Sequence, residues 1–213
     1  MNKAEYAKYM KGTTTVGIIC SDGVVMGADM RSTMGDFVNN TSVRKVFRID
    51  DNLVLTVAGS VGDAQEIIRI LRAHSEVYKM SENHPMSPKS AASLLSIILQ
   101  QNKMMPYYVQ LMIGGLDGSE SELYSMDPIG GYSDESKYVV TGAGTEMATG
   151  YLDDAYKKGI GTKEGVKLAS RALSIAMKRS ASTGDGMIIA VVTKSGYTEY
   201  SGKDIEKIAS QAK

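Results

Sequence analysis

The order of the secondary-structure segments constrains this chain more than any single motif does. Apolar hairpins come first and a pair of helical segments follows; further strands, a second helical pair and a closing hairpin complete the order. Because strands and helices run in blocks, the pattern argues against the alternating βαβ units of a parallel sheet. It predicts an α+β fold, a four-layer αββα sandwich in which two antiparallel sheets lie between helix pairs.

Hydrophobic periodicity places the individual segments. Strands are predicted at 14–20, 24–29, 43–49, 53–58, 107–113, 122–126, 137–141, 186–193 and 197–200. Helices are predicted at 61–79, from Pro88 to a point before Pro106, at 147–156, at 162–178 with Thr162 as N-cap, and at 204–212. Residues 35–41 are predicted to form a polar loop.

The composition argues against several kinds of partner. Lysine plus arginine and aspartate plus glutamate both number 24, so no basic surface for nucleic acid is indicated. No apolar run approaches the roughly 20 residues that a membrane span requires. Cys20 is the single cysteine, which excludes an intramolecular disulfide and fits a cytoplasmic location. The two histidines lie far apart in the sequence, so no metal or cofactor site is expected.

The junction between Gly12 and Thr13 offers chemistry of its own. Cleavage there would leave Thr13 with a hydroxyl nucleophile and a free α-amine on one residue. An α-amine has a pKa of roughly 7.7–8.0, so an appreciable fraction is neutral near pH 7 and can accept the hydroxyl proton. The polar residues 1–12 lack the apolar region of a secretory signal and suit a short leader. The simpler interpretation is a strand that begins with β-branched residues.

A threonine nucleophile needs a nearby cation, a carboxylate that holds the cation, and an N–H that receives the oxyanion. Lys45 lies among apolar neighbours in the predicted third strand, where it could equally be an ordinary exposed lysine. Asp29 ends the second predicted strand and is a suitable carboxylate. Gly59 ends the fourth, and a glycine there allows backbone to approach a ligand closely.

Short motifs throughout the chain resemble those of archaeal-type proteasome β subunits. They are GTTTVG at 12–17, GADMR at 27–31, RKVF at 44–47, AGSVGDAQ at 58–65, MPY at 105–107, GGLD at 114–117, TGAG at 141–144 and TGDG at 183–186. Each motif is weak alone, but their order is specific and covers nearly the whole chain after residue 12. The resemblance implies the N-terminal-nucleophile hydrolase fold and the activity of a threonine endopeptidase.

The resemblance also implies the catalytic roles. A propeptide, residues 1–12, would be removed autocatalytically after Gly12, which leaves residues 13–213 as one domain. Thr13 would be the nucleophile and its α-amine the base. Lys45 would lower the pKa of the hydroxyl, Asp29 would orient Lys45, and the Gly59 N–H would form the oxyanion hole.

Substrate binding and assembly follow from the same resemblance. The backbone of Thr33 and Gly59 would pair with an extended peptide. Val43, Val57 and Val61 would shape the pocket for the residue before the scissile bond, and their apolar side chains predict cleavage after hydrophobic residues. The β subunits would form stacked heptameric rings capped by α-subunit rings, and an ATP-dependent unfoldase would feed in unfolded polypeptides, all in the cytoplasm.

Three positions depart from the family pattern. Ser180 stands where an aspartate is expected, and Ala143 stands where a serine is expected; Thr183 replaces another serine and could still offer a hydroxyl. A lost charge-assisted hydrogen bond is worth roughly 1.5–3 kcal/mol, which would slow the reaction about tenfold to a hundredfold. The departures leave open a weakly active or inactive structural ring subunit. A bacterial two-component relative and a small-molecule amidohydrolase also remain open.

Overall fold

The computed structural model describes residues 12–210. Residues 1–11 of the predicted leader and residues 211–213 therefore lie outside the described part. The strands are β1 Thr14–Cys20, β2 Gly23–Asp29, β3 Ser32–Met34, β4 Phe37–Asn40, β5 Val46–Asp50, β6 Leu53–Gly59, β7 Val109–Asp117, β8 Glu120–Met126, β9 Tyr132–Asp134, β10 Tyr138–Gly142, β11 Met187–Thr193 and β12 Gly196–Ser201. The helices are α1 Val61–Glu82, α2 Pro88–Gln101, α3 Thr145–Ala155, α4 Thr162–Arg179 and α5 Lys203–Ser210.

The strands form two five-stranded sheets and one small hairpin sheet within the described residues. The first large sheet has the order β10-β1-β2-β11-β12, and the second has the order β5-β6-β7-β8-β9. Every neighbouring pair is antiparallel. Strand β1 therefore occupies an inner position, and its first pair joins Thr14 to Gly142 of β10.

Three apolar layers separate the sheets and the helices. One lies between the two sheets and contains Met26, Val54 and Met112. A second joins α1 and α2 to the second sheet, and a third joins α3, α4 and α5 to the first sheet. This arrangement confirms the predicted four-layer αββα sandwich.

Strand β6 shows why the sequence folds into these layers. Leu53, Leu55 and Val57 face the helices, whereas Val54 faces the other sheet. A period of two places alternate side chains on opposite faces, and both faces are covered here. The strand is therefore apolar except for the buried Thr56, and each fully buried aliphatic side chain contributes about 1.5–3 kcal/mol.

Helix caps follow the sequence in one case and depart from it in another. Ser87 caps α2, since its side chain accepts the N–H of Ser90 at 3.1 Å, as predicted. The prediction that Thr162 is the N-cap of α4 was wrong. Gly161 is the N-cap, and Thr162 is the first residue of the helix. Asp22 takes the capping role from a distant turn and accepts the Thr162 N–H at 2.7 Å and its hydroxyl at 3.0 Å.

Two other expectations were wrong. The predicted loop at 35–41 contains β4 and pairs with β3, but this hairpin is mostly exposed and therefore shows no apolar alternation. The third strand begins at Val46, so Lys45 precedes it. The residues before β5 cross between the sheets: the Val43 N–H donates to the Met30 carbonyl at 2.9 Å, and the Lys45 carbonyl accepts from Val57 at 3.0 Å. None of the described helices combines the length and apolar character needed to cross a bilayer.

Candidate active site

A cleft of about 270 Å³ opens at the start of β1 and collects the predicted catalytic residues. Gly12, Thr13, Lys45 and Gly59 all line it. Asp29 lies behind Lys45, with only 1% of its surface exposed. The structure thus brings together residues that the sequence spreads over almost 50 positions.

The predicted substrate-binding residues line the same cleft. Thr33 lies on the hairpin β3–β4, and Val43, Val57 and Val61 form part of the wall. Phe47 also lines the wall and was not among the predicted pocket residues. Its place in β5, two residues after Lys45, puts its side chain on the same side of the chain, which is a usable sequence signal.

Thr13 is held through both ends of its backbone. Its N–H donates to the Ser182 carbonyl at 3.3 Å, and its own carbonyl accepts the Ala143 N–H at 2.7 Å. The residue is 5% exposed and has a φ of 94°, an unusual value for a β-branched residue. Such a backbone conformation costs on the order of 1–3 kcal/mol, and cleavage before Thr13 would remove the restraint on this angle.

The Asp29 carboxylate is fully occupied. Oδ1 accepts the N–H of Thr14 and the ammonium of Lys45, both at 2.9 Å. Oδ2 accepts the backbone N–H groups of Arg31 and Gly184, both at 3.0 Å. Four donors match the four acceptor sites of a carboxylate, so a buried charge is compensated here by hydrogen bonds from several segments.

Lys45 projects into the cleft from this anchor. Its ammonium donates to Asp29 and to the Arg31 carbonyl, the latter at 2.5 Å. Burial lowers the pKa of Lys45, and the adjacent Asp29 charge opposes that shift. The side chain is only 6% exposed, so the ion pair acts in a poorly solvated environment.

Gly59 could not be replaced by a larger residue. Its φ is 127°, and a Cβ atom there would lie 2.0 Å from the Tyr108 carbonyl oxygen. The same carbonyl accepts the Ser60 N–H at 2.7 Å, which fixes the exit of β6 into α1. Only glycine therefore permits this backbone to border the cleft.

Hydroxyl groups occupy the positions where the family pattern led us to expect an aspartate and a serine. Thr183 lies 2.8 Å from the Thr14 hydroxyl and donates to Ser180 at 2.9 Å. Ala143 contributes its backbone N–H to Thr13 and has no polar side chain. Sequence reasoning did not find Ser182, because its contribution is a backbone carbonyl that any residue type could provide.

A second ion pair holds the segment after α4. Arg31 donates to both carboxylate oxygens of Asp185, at 2.7 and 3.1 Å, and to the Ala181 carbonyl at 2.8 Å. The hydrogen bond from Arg31 lowers the pKa of Asp185. No sequence pattern indicates this pair, because its members are 154 positions apart. Among residues 12–210, no group of three or more His, Cys, Asp or Glu side chains could hold a metal ion.

The fold and the position of Thr13 define the class of the N-terminal-nucleophile hydrolases. The family described as "Proteasome subunit" matches residues 9–192. The chain belongs to this family.

The chain is also similar to several archaeal proteins named "Proteasome subunit beta". It is 41% identical to the Methanococcus aeolicus protein over 98% of this chain and 97% of the relative. It is 44% identical to the Methanocaldococcus fervens protein, over 95% and 91% of the two chains, and 42% identical to the Methanosarcina mazei protein, over 93% and 95%. The prediction of a proteasome β subunit is thereby confirmed.

Proposed function

We propose that this chain is a threonine-type endopeptidase that cleaves unfolded polypeptides inside a proteasome core. One observation carries the proposal: Thr13 and Lys45 line one cleft, and Asp29 holds Lys45 from behind. A positive charge that lines the same cleft as Thr13 supports this role, because a nearby cation favours the loss of a proton from a threonine hydroxyl.

The chemistry begins after removal of residues 1–12. The Thr13 Oγ1 attacks the substrate carbonyl carbon, and its proton passes to the α-amine of the same residue. The resulting oxyanion receives a hydrogen bond from the Gly59 N–H. Collapse of the intermediate breaks the peptide bond, the leaving amine takes the proton, and Thr13 carries the acyl group as an ester. Water then hydrolyses that ester and restores the free hydroxyl.

The same nucleophile would remove the leader. In the described chain Gly12 is still attached, and it lines the cleft with Thr13. The strained φ of Thr13 favours cleavage, because the restraint exists only while the Gly12–Thr13 peptide bond is intact. Residues 1–12 are accordingly a propeptide removed autocatalytically, and residues 13–213 form the mature domain.

The cleft wall supports cleavage after hydrophobic residues. Val43, Val57 and Val61 are apolar, and Phe47 adds an aromatic surface to the lining of the same cleft. A charged side chain would lose its hydration there without a counterion from these residues. A panel of peptides that differ only before the scissile bond tests this: leucine or tyrosine should exceed arginine and aspartate, and a preference for either charged residue would contradict the assignment.

Membership of the proteasome family supports a proposal about assembly. The proposal includes heptameric β rings, capping α-subunit rings and an ATP-dependent unfoldase that delivers substrate, in the cytoplasm. Thr33 and Gly59 both line the cleft, which supports strand-like pairing of their backbone with an extended polypeptide.

Substitution of the nucleophile tests the proposed activity. Thr13→Ala in particles assembled with α subunits should abolish both leader removal and hydrolysis of a hydrophobic fluorogenic peptide. Thr13→Ser is the matched control, since it keeps a hydroxyl and an α-amine. Equal hydrolysis by wild type and Thr13→Ala would overturn the assignment.

A structural ring subunit with little or no turnover is the second candidate. It is favoured by Ser180, which stands where the family pattern has an aspartate and offers Thr183 a neutral hydroxyl in place of a carboxylate. Particles that contain this subunit together with another β subunit distinguish the two candidates. If this subunit is only structural, such particles should hydrolyse peptides equally well with and without Thr13→Ala.

A further inference from the structure

The first turn of α1 follows Gly59 directly and contains a carboxylate that contacts a different strand. Asp63 lies in this turn, and its Oδ2 atom accepts the backbone N–H of Tyr108 at 2.8 Å. Tyr108 immediately precedes β7, so the hydrogen bond joins the start of α1 to the start of β7 across 45 positions of sequence. The mechanism proposed above assigns no role to this carboxylate.

Helix capping alone does not account for the contact. Ser60 is the N-cap of α1, and its side chain accepts the Asp63 N–H at 3.4 Å. In a capping box, the carboxylate at the position of Asp63 would accept the N–H of the N-cap residue. Here the Ser60 N–H donates to the Tyr108 carbonyl at 2.7 Å, and the Asp63 carboxylate accepts the Tyr108 N–H. The backbone of Tyr108 thus takes the place of a direct contact between Ser60 and Asp63.

The same backbone adjoins Gly59. A Cβ atom at Gly59 would lie 2.0 Å from the Tyr108 carbonyl oxygen, and Gly59 pairs with Val109, the residue after Tyr108. A shift of Tyr108 would therefore press against the Gly59 backbone, whose φ of 127° is readily open to glycine alone. The direction of the Gly59 N–H depends on where Tyr108 is held.

We propose that Asp63 is a positioning residue for the oxyanion hole, because it holds Tyr108 so that the Gly59 N–H is aimed into the cleft. This inference rests on the proposed function, which assigns that N–H to the oxyanion. A donor aimed at the oxyanion stabilises the transition state more than the bound substrate, and loss of such a donor costs about 10²–10³-fold in kcat. Asp63 acts through Tyr108 and not on the oxyanion itself, so its loss should cost less.

Kinetics on assembled particles separate positioning from helix stabilisation. Asp63→Ala should lower kcat about tenfold and leave KM within about twofold, because the oxyanion exists in the transition state and not in the bound substrate. Asp63→Asn keeps an acceptor oxygen without the charge and should retain kcat within about threefold. A role confined to the helix dipole predicts equal losses, since Asn lacks the charge as fully as Ala does. Equal losses in the two variants would overturn the inference.

Glu164 provides the matched control. It lies in the first turn of α4, at the same position relative to its N-cap as Asp63 in α1. Its carboxylate pairs with Lys167 of the same helix at 3.3 Å. Glu164→Ala should leave kcat at the wild-type value. If it lowered kcat as much as Asp63→Ala does, the loss would be due to helix stability and the inference would be wrong.

A peptide aldehyde reports on the oxyanion hole itself. The Oγ1–H bond of Thr13 adds across the C=O bond of the aldehyde, and the tetrahedral hemiacetal has its oxygen at the oxyanion position. The corresponding peptide alcohol has no carbonyl and cannot form this adduct. Asp63→Ala should weaken inhibition by the aldehyde about tenfold and leave inhibition by the alcohol unchanged. Equal weakening of both inhibitors would contradict a role at the oxyanion hole.

Hydrogen exchange needs no turnover and distinguishes a failure of this inference from a failure of the proposed function. In Thr13→Ala particles, the Ser60 amide should exchange at least about tenfold faster when Asp63→Ala is added than when Asp63→Asn is added, because its acceptor is the Tyr108 carbonyl. Equal exchange in the two variants would overturn the inference. Faster exchange in Asp63→Ala, for a protein whose wild-type particles neither hydrolyse peptides nor bind the aldehyde, would uphold the positioning of Tyr108 and reject the proposed protease activity.

Discussion

Two buried polar groups meet at Thr13, and they differ in charge. The ion pair of Asp29 and Lys45 joins opposite charges at 2.9 Å, and three backbone N–H groups also donate to that carboxylate. The hydroxyls of Thr14, Thr183 and Ser180 form a neutral group, and single hydrogen bonds link them. The ion pair can therefore stabilise developing charge, whereas the neutral group of hydroxyls can only position its neighbours.

The largest effect is expected from Lys45→Met, which removes the cation of the ion pair. Turnover should fall by about 10²–10³-fold, as is typical when a group that stabilises developing charge is removed. The free energy of unfolding should fall less than in Asp29→Asn, because the buried Asp29 carboxylate loses its cation but retains three backbone donors. Steady-state hydrolysis and chemical denaturation of the same particles measure the two quantities. Turnover within twofold of wild type would remove Lys45 from the mechanism.

Asp29→Asn should instead damage stability. It leaves the Lys45 ammonium buried without its counterion, a loss of about 3–5 kcal/mol in unfolding free energy. Burial lowers the pKa of Lys45 already, so the unfolded state binds this proton more tightly and stability rises with pH toward the ordinary lysine value. Without Asp29 that rise should begin at lower pH. Denaturation of wild type and Asp29→Asn at several alkaline pH values measures where this rise in stability begins. The same pH dependence in both proteins would contradict the prediction.

Ser180→Asp adds a carboxylate to the neutral group of hydroxyls formed by Thr14, Thr183 and Ser180. The new charge would accept from Thr183 and stabilise the protonated amine of Thr13, so the acidic limb of the pH–rate profile should move to higher pH. Above that limb we expect turnover to rise about tenfold, through a charge-assisted bond in place of a neutral one. Ser180→Asn is the control of matched size without charge. Identical profiles for both variants would contradict the electrostatic interpretation.

The smallest effect concerns Asp185, which lies farther from the chemistry and is partly exposed. Its hydrogen bonds with Arg31 lower its pKa, so they stabilise the fold above the ordinary aspartate pKa and lose this effect as pH falls through the lowered value. Asp185→Asn should therefore be slightly less stable than wild type at neutral pH, and the difference should close in acid. A constant difference across that range would argue against the ion pair as its cause.

The ion pair of Asp29 and Lys45 was more predictable from the sequence than the hydrogen-bonded hydroxyls of Thr14, Thr183 and Ser180. Asp29 ends one apolar strand, and Lys45 directly precedes another. The block order of strands and helices places these two strands in facing sheets. The predicted sandwich depends on the same apolar patterns, and these also decide which faces are buried.

The remaining features depend on contacts that no local pattern encodes. The Ser182 carbonyl and the Ala143 N–H are backbone groups, so residue type does not reveal them. Asp22 replaces Thr162 as the cap of α4 across 140 positions of sequence. The hairpin β3–β4 is mostly exposed and lacks apolar alternation. Lys45 precedes β5 in a segment that bonds to Met30 on one side and to Val57 on the other.

Thr13 becomes an N-terminal nucleophile, in the mechanism proposed above, by cleaving its own leader. The intact mass of this subunit after assembly with α subunits shows whether that cleavage occurs. We expect a wild-type subunit that lacks residues 1–12 and begins at Thr13, and a Thr13→Ala subunit that keeps them. A wild-type subunit that retains its leader in fully assembled particles would rule this mechanism out.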